Sequence, residues 1–304
     1  MLLTEKAAGV YIIAATPFTE SGDIDYESAD RLVEFYLSHG VSGMTILGMM
    51  GEATKLSSEE SLAFTSHMLK RVNGRVPIIV GVSNAGITNI AFLSQQSMDM
   101  GAAGIMIAPP SGLGSDEKIY NYFEQCFNAL GPKVPVCYQD FPLATGVTLS
   151  ADNFLRMVED FSDLVMLKHE DWPGLNKLSR IRKQEARRVS ILCGNGGIFL
   201  PEEMARGADG AMTGFAYPEM LVEIIELCNA GKHDRASDIF DAYLPVIRLE
   251  QQPGMGLAIR KEILHRRGAL ACNAARAPAP RLSNEDHEEI TRLLARLEQR
   301  LKAL

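Results

Sequence analysis

Short apolar runs and longer amphipathic runs alternate along this chain from residue 10 to residue 231. The first apolar run, VYIIAATPF, gives way to YESADRLVEFYLSHG, where apolar positions recur at helical spacing and Gly40 closes the segment. GMTILG then precedes SSEESLAFTSHMLKRV, which opens with Ser and Glu at capping-box spacing. The same alternation continues through VPIIVGVS, GIMIAPP, VPVCYQD, LVMLKHE, VSILCGN and GAMTGFA, each followed by a helical pattern. Strands that alternate with helices imply parallel βαβ units. Their nearly unbroken apolar character is that of strands covered on both faces.

Eight such units over residues 1–230 predict an α/β fold, a (β/α)8 TIM barrel. Three more helical patterns follow in residues 231–304: ASDIFDAYLPVIRLEQQ, MGLAIRKEILHRRG and NEDHEEITRLLARLEQRL. They read as a C-terminal helical extension packed on the barrel, capping it or serving oligomer contacts. The Ala- and Pro-rich stretch ALACNAARAPAPRLS reads as the connection between the last two.

Composition narrows the function classes. Apolar residues make up 46% and charged residues 22%, a globular profile. A net charge of −8 offers no basic footprint for nucleic acid. No run is long enough to cross a membrane as a helix, and the first residues lack the layout of a signal peptide. We therefore expect a cytoplasmic protein with neither nucleic acid nor membrane as partner. The five cysteines show no metal spacing, so no metal is expected. Cys126, Cys137, Cys193 and Cys228 fall in predicted elements as small core residues, and Cys272 falls in the tail segment.

Barrels of this type carry their chemistry at the C-terminal ends of the strands. There Lys168 stands out, because LVML leads a buried strand straight into an amine. An amine kept from water loses its proton more readily and becomes a nucleophile toward carbonyl carbon, giving a Schiff base. The competing reading is a lysine reaching solvent, paired with Glu170. The loop LGMMGEATK after strand 2 has glycines that let backbone N–H groups approach an anion. The glycines of CGNGG after strand 7 and of MTGF at strand 8 sit where phosphate-handling barrels bind phosphate, but CGNGG is no complete dinucleotide motif.

Taken in order, these motifs resemble the dihydrodipicolinate synthase / N-acetylneuraminate lyase family over nearly the whole chain. The family's GxxGE loop is matched by Gly48, Met49, Met50, Gly51 and Glu52, its tyrosine strand by YQDFP, its lysine strand by LVMLKHE, and its glycine after strand 7 by Gly194. The resemblance implies a catalytic Schiff-base lysine at Lys168 and a tyrosine at Tyr138. It implies a pyruvate-type 2-keto acid held by the loop from Gly48 to Glu52, with its carboxylate on the Met49 and Met50 N–H groups, and by Gly194 and Met212. It also implies no cofactor, and a homotetramer or homodimer.

The departures are equally specific. Met49 and Met50 replace two hydroxyl residues that relay protons in the synthases. Pro110 and Ser111 stand where a tyrosine is usual, and Ala144 where an arginine holds the second substrate's carboxylate. A bidentate guanidinium contact has no substitute in alanine. Tyr138 lies one residue too early relative to Pro142, so either a bulge returns it to the pocket or Gln139 faces inward. QDFP, GNGGIF and GADGAMTGF resemble the branch that contains 2-keto-3-deoxyarabonate dehydratase. We therefore expect a lyase dehydrating or cleaving a 2-keto-3-deoxy sugar acid. The alternatives are a dihydrodipicolinate synthase, a phosphate-handling barrel, or a barrel that binds a keto acid without turning it over.

Overall fold

The computed structural model describes all 304 residues. Eight parallel strands close into a barrel in sequence order. They are β1 (Gly9–Ile13), β2 (Gly43–Ile46), β3 (Ile78–Gly81), β4 (Gly104–Ile107), β5 (Val136–Asp140), β6 (Leu164–His169), β7 (Ser190–Cys193) and β8 (Gly210–Ala211). The last is only two residues long, and its Gly210 packs backbone directly on Gly9, leaving no room for a Cβ.

The surrounding helices are α1 (Tyr26–Ser38), α2 (Ser58–Val72), α3 (Ile87–Asp99), α4 (Asp116–Leu130), α5 (Pro142–Thr145), α6 (Ala151–Asp160), α7 (Leu175–Gln184), α8 (Leu200–Ala205) and α9 (Pro218–Asn229). The capping box at the start of α2 is real: Ser57 and Glu60 bond each other's backbone N–H groups. The single-turn helix α5 is absent from the apolar pattern, since four residues carry no periodicity; Pro142 starts it and Gly146 in the left-handed region ends it.

Strand alternation divides the core in two. Val10, Ile12, Met44, Ile46, Val136, Leu167, Ile191 and Ala211 face the helices. Tyr11, Ile13, Ile79, Met106, Cys137, Met166, Leu192 and Met212 fill the barrel itself. The one irregularity lies between β5 and β6. Val136 pairs with Leu164 but Cys137 pairs with Met166, so Val165 is an extra residue on β6.

The C-terminal helices α10 (His233–Glu250), α11 (Gly256–Arg266) and α12 (Asn284–Leu301) follow. α10 packs on α8, α9, α11 and α12. α11 enters the barrel mouth with three consecutive charged residues buried: Arg260, Lys261 and Glu262. No helix is long and apolar enough to cross a membrane.

Candidate active site

β6 ends in the mouth of the barrel with Lys168 inward and 4% exposed. Two residues on, Glu170 returns to the same side, and its Oε2 lies 3.0 Å from Lys168 Nζ. Beside them on β5, Gln139 pairs in register with Lys168 and donates from Nε2 to the same Glu170 oxygen at 2.8 Å. The other carboxylate oxygen accepts from the Asn195 backbone N–H at 3.3 Å, and Asn195 Nδ2 donates to the Glu170 carbonyl at 2.9 Å. Glu170 is thus oriented from three sides, with one oxygen against the amine.

The glycine-rich turn after β7 exists for that carboxylate. A Cβ on Gly194 would collide with the Glu170 side chain. Asn195 adopts a left-handed backbone, a strained conformation offset by its two bonds to Glu170. Gly196 then donates its N–H to Thr213 Oγ1 at 2.7 Å, tying the turn to the end of β8.

Lys168, Glu170, Gln139, Asn195, Gly196 and Thr213 line a cavity of about 580 Å³. Met49 and Met50 close its β2 side within a 3-10 turn spanning Met49–Gly51. Gly51 and Glu52 supply the N–H groups that close the turn. The first N–H groups of such a turn have no acceptor inside it. Residues 250–260, from the end of α10 to the second turn of α11, supply the outer wall, including Gln251 and Arg260.

Several expected residues lie elsewhere. Tyr138 faces outward: its ring lies tilted against Phe123 and edge-on to Phe154 between barrel and helices, and its hydroxyl has no partner. Burial holds that phenol well above its ordinary pKa. The bulge that could have turned Tyr138 inward is upstream and on β6, so Val136, Tyr138 and Asp140 share the outer face and Gln139 the inner one. The inward-tyrosine expectation is therefore corrected in favour of its Gln139 alternative.

Glu52 does not line the cavity. Its Oε1 is 2.5 Å from Lys261 Nζ and its Oε2 2.8 Å from Lys55 Nζ, and Oε2 also accepts from the Arg276 N–H at 3.0 Å. It anchors the β2 loop to the C-terminal extension. Gly48 sits against Met106 and Ile13, and the Gly51 carbonyl accepts from Thr16 Oγ1 at 2.6 Å; both shape the turn from behind. Met212 lies in the barrel core, its sulfur 3.8 Å from Cys137 Sγ. Burial pushes the Cys137 thiol up to about 12, so it is an inert filler. His169 points outward and bonds Glu203 at 2.6 Å.

Sequence reasoning placed the CGNGG and MTGF segments, which carry Asn195 and Thr213, at the mouth without giving those two side chains a role, and it missed Gln251 and Arg260 as wall residues. A signal for the last existed: Arg260, Lys261 and Glu262 interrupt a helix that is apolar on both sides of them, and buried charges require partners or a purpose.

A closed parallel barrel with a buried lysine and carboxylate at the C-terminal ends of its strands defines a (β/α)8 enzyme-type site. The chain belongs to the Dihydrodipicolinate synthetase family, whose profile matches residues 6–297. It is 28% identical over 300 residues to the L-2-keto-3-deoxyarabonate dehydratase of Azospirillum brasilense, covering 97% of this chain and 96% of that one. It is 29% identical over 247 residues to the 4-hydroxy-tetrahydrodipicolinate synthase of Parabacteroides distasonis, covering 80% and 81%. The crystal structure of a dihydrodipicolinate synthase from Rhodopseudomonas palustris superposes with a TM-score of 0.95 at 47% identity, covering 97% of this chain and 99% of that one. The family's named members are lyases and synthases of one class.

Proposed function

We propose that this protein is a Schiff-base lyase that dehydrates a 2-keto-3-deoxy sugar acid. The observation that carries the reading is the Lys168–Glu170 pair, 3.0 Å apart and facing an open cavity. Lys168 Nζ attacks the C2 carbonyl of the keto acid, and loss of water leaves a protonated imine. The imine withdraws electrons from C3. Glu170 removes a C3 proton, the electron pair forms the C3–C4 double bond, and the C4 hydroxyl departs with a proton as water. Hydrolysis of the imine returns Lys168. The substrate carboxylate is assigned to the Met49 and Met50 N–H groups at the start of the 3-10 turn. No organic cofactor or metal enters the scheme.

This scheme has no role for a phenol. Glu170, held by Gln139 and Asn195, takes the proton-carrying position that an inward tyrosine would otherwise fill. The full-length likeness to the arabonate-type dehydratase supports the same substrate class.

Pyruvate with borohydride tests the lysine: a reduced pyruvyl adduct mapped by mass to Lys168 is expected, and its absence sinks the reading. Glu170→Gln should still form the adduct while slowing dehydration by about 10²- to 10⁴-fold, the usual contribution of a general base. A second reading, 4-hydroxy-tetrahydrodipicolinate synthase, is favoured by the likeness to the Rhodopseudomonas palustris protein. Ala144, where the synthases carry a carboxylate-binding arginine, weighs against it. Turnover of aspartate semialdehyde with pyruvate would establish that second reading over the first.

A further inference from the structure

The cavity that holds Lys168 has a second cation in its wall, and that cation is incompletely bonded. Arg260 on α11 is 3% exposed and borders the cavity. Its Nε donates to Glu250 Oε2 at 2.7 Å, which is its one hydrogen bond to protein. The remaining donors, on Nη1 and Nη2, find no acceptor. Other buried and half-buried cations of this chain are treated differently. Lys261 has acceptors for all three of its protons, in Glu52, Thr16 and Ala274. Arg187 places Nη2 on the carbonyls of Val158, Phe161 and Leu164. A buried charge left with open donors is costly unless something else meets them.

The position of Arg260 is tightly set. Glu250, at the end of α10, holds Nε with one oxygen and accepts the Ala216 N–H at 3.3 Å with the other. A Cβ on Gly214 would meet Arg260 Nη1 at 2.5 Å, so glycine at the end of β8 opens the space that the guanidinium occupies. Next to it Gln251 packs over Gly196, where a Cβ would collide with its amide. Three elements are therefore arranged to present a planar pair of N–H₂ groups to the mouth. In barrel order β8 is two strands from β6, which carries Lys168, and lies between β6 and β2, which carries the Met49–Met50 turn. Arg260 is a third pole of the site, distinct from the amine and from the turn assigned to the carboxylate.

We propose that Arg260 is a specificity-determining residue whose terminal nitrogens donate to oxygens on the far half of the substrate, the carbons beyond C3 that pyruvate lacks. Glu250 is its positioning residue. The inference rests on the Schiff-base reading of Lys168 and deepens it. It identifies the substrate as a 2-keto acid extended by a carboxylate or hydroxyl-bearing chain, and it places the discriminating cation on the C-terminal extension. An open guanidinium fork fits a carboxylate in two parallel bonds or two hydroxyls in single ones.

Competition with pyruvate labelling tests it. The rate of borohydride-trapped pyruvate adduct is measured in the presence of 2-oxohexanoate, 2-oxoadipate or a 2-keto-3-deoxy sugar acid, which differ in a distal methyl, carboxylate or hydroxyls. In the wild type the oxygen-bearing chains should compete at concentrations about 10- to 100-fold lower than 2-oxohexanoate, the range of hydrogen bonds to a charged group. Arg260→Met should erase that preference, with the long acids weakened far more than pyruvate labelling, and Arg260→Lys should retain part of it. Whichever oxygen-bearing acid loses more identifies the distal group.

No preference in the wild type overturns the inference. So does an Arg260→Met variant that slows pyruvate labelling as much as it weakens the long acids, since the guanidinium would then hold the C1 carboxylate. If pyruvate gives no adduct at all, the Lys168 reading fails. The shift in Tm that each acid produces in wild type and Arg260→Lys then decides the Arg260 assignment separately, and equal shifts in both proteins reject it.

Discussion

Two lysines are buried at the same barrel mouth, each against a buried glutamate, and they are opposites in everything else. Lys261 is fully enclosed, and its three protons meet Glu52 at 2.5 Å, the Thr16 carbonyl at 2.8 Å and the Ala274 carbonyl at 2.9 Å. Phe18 covers it, 4.6 Å from the ring centre. Lys168 has one charged neighbour, Glu170 at 3.0 Å, and a cavity in front of it. A saturated ammonium has no free path to a carbonyl carbon. An ammonium with a single carboxylate beside it can pass a proton across and attack. Burial alone therefore says little about a lysine's purpose; the number of acceptors around it says much more. Arg260 obeys the same rule, with one donor held and the rest directed at the cavity.

The largest expected difference is between the two substitutions to methionine. Lys168→Met should lower turnover by at least about 10³-fold, as removal of a covalent nucleophile does. It should cost less stability than the same change at Lys261, because Glu170 keeps Gln139 and Asn195 as donors and opens on the cavity. Lys261→Met should cost about 3–5 kcal/mol, measured as a fall in the urea midpoint, because it leaves Glu52 Oε1 and the buried Thr16 and Ala274 carbonyls without a donor, with only Oε2 still held by Lys55 and Arg276. Equal stability losses in the two variants would break the comparison.

Strand 5 gives the next test. Tyr138→Phe removes a hydroxyl that bonds nothing, so activity should stay within about 2-fold of the wild type and stability within about 1 kcal/mol. Gln139→Leu removes a donor to Glu170 and should lower kcat about 10-fold, with its effect on the pH profile of turnover as the sign that it acts through the carboxylate. A tyrosine effect larger than the glutamine effect would restore the phenolic relay.

The smallest effect lies at the open rim of the Lys261 clasp. There Arg276, bonded to Glu60 through both Nη groups, holds that carboxyl at about 2, below its ordinary 4.5. A lowered folded-state pKa stabilises the protein fully above about 4.5, and that contribution is lost as pH falls toward 2. The Tm difference between wild type and Glu60→Gln should therefore shrink over that window. The stability difference behind that shift should never exceed about 1 kcal/mol, since the pair is partly exposed and screened.

The barrel was legible because buried parallel strands are short unbroken apolar runs, and eight of them recur between helical patterns. Lys168 was legible because it violates such a run at its functional end. The orientation of Tyr138 was not, because counting from Pro142 leaves two solutions, and only strand parity together with the extra Val165 on β6 selects between them. Glu52 looked like a ligand-facing residue because its partners, Lys261 and the Arg276 backbone, lie 209 and 224 positions away. Arg260 could be read as a charge needing a partner but not as part of this wall, because no local spacing tells which helix folds back over a barrel mouth.

Those separations have a consequence for the order in which the protein comes into being. All eight strands have been synthesised by residue 211, and Lys168 with Glu170 well before that. The β2 turn still lacks its clasp, because Lys261, Ala274 and Arg276 have not yet emerged. The outer wall at Gln251 and Arg260 is missing as well. A nascent chain thus carries Lys168 and Glu170 before it carries the wall and the clasped turn that complete their cavity. The cavity is complete only once residues 250–276 have been made, when long-range contacts of the slowest kind to form draw that segment across the mouth.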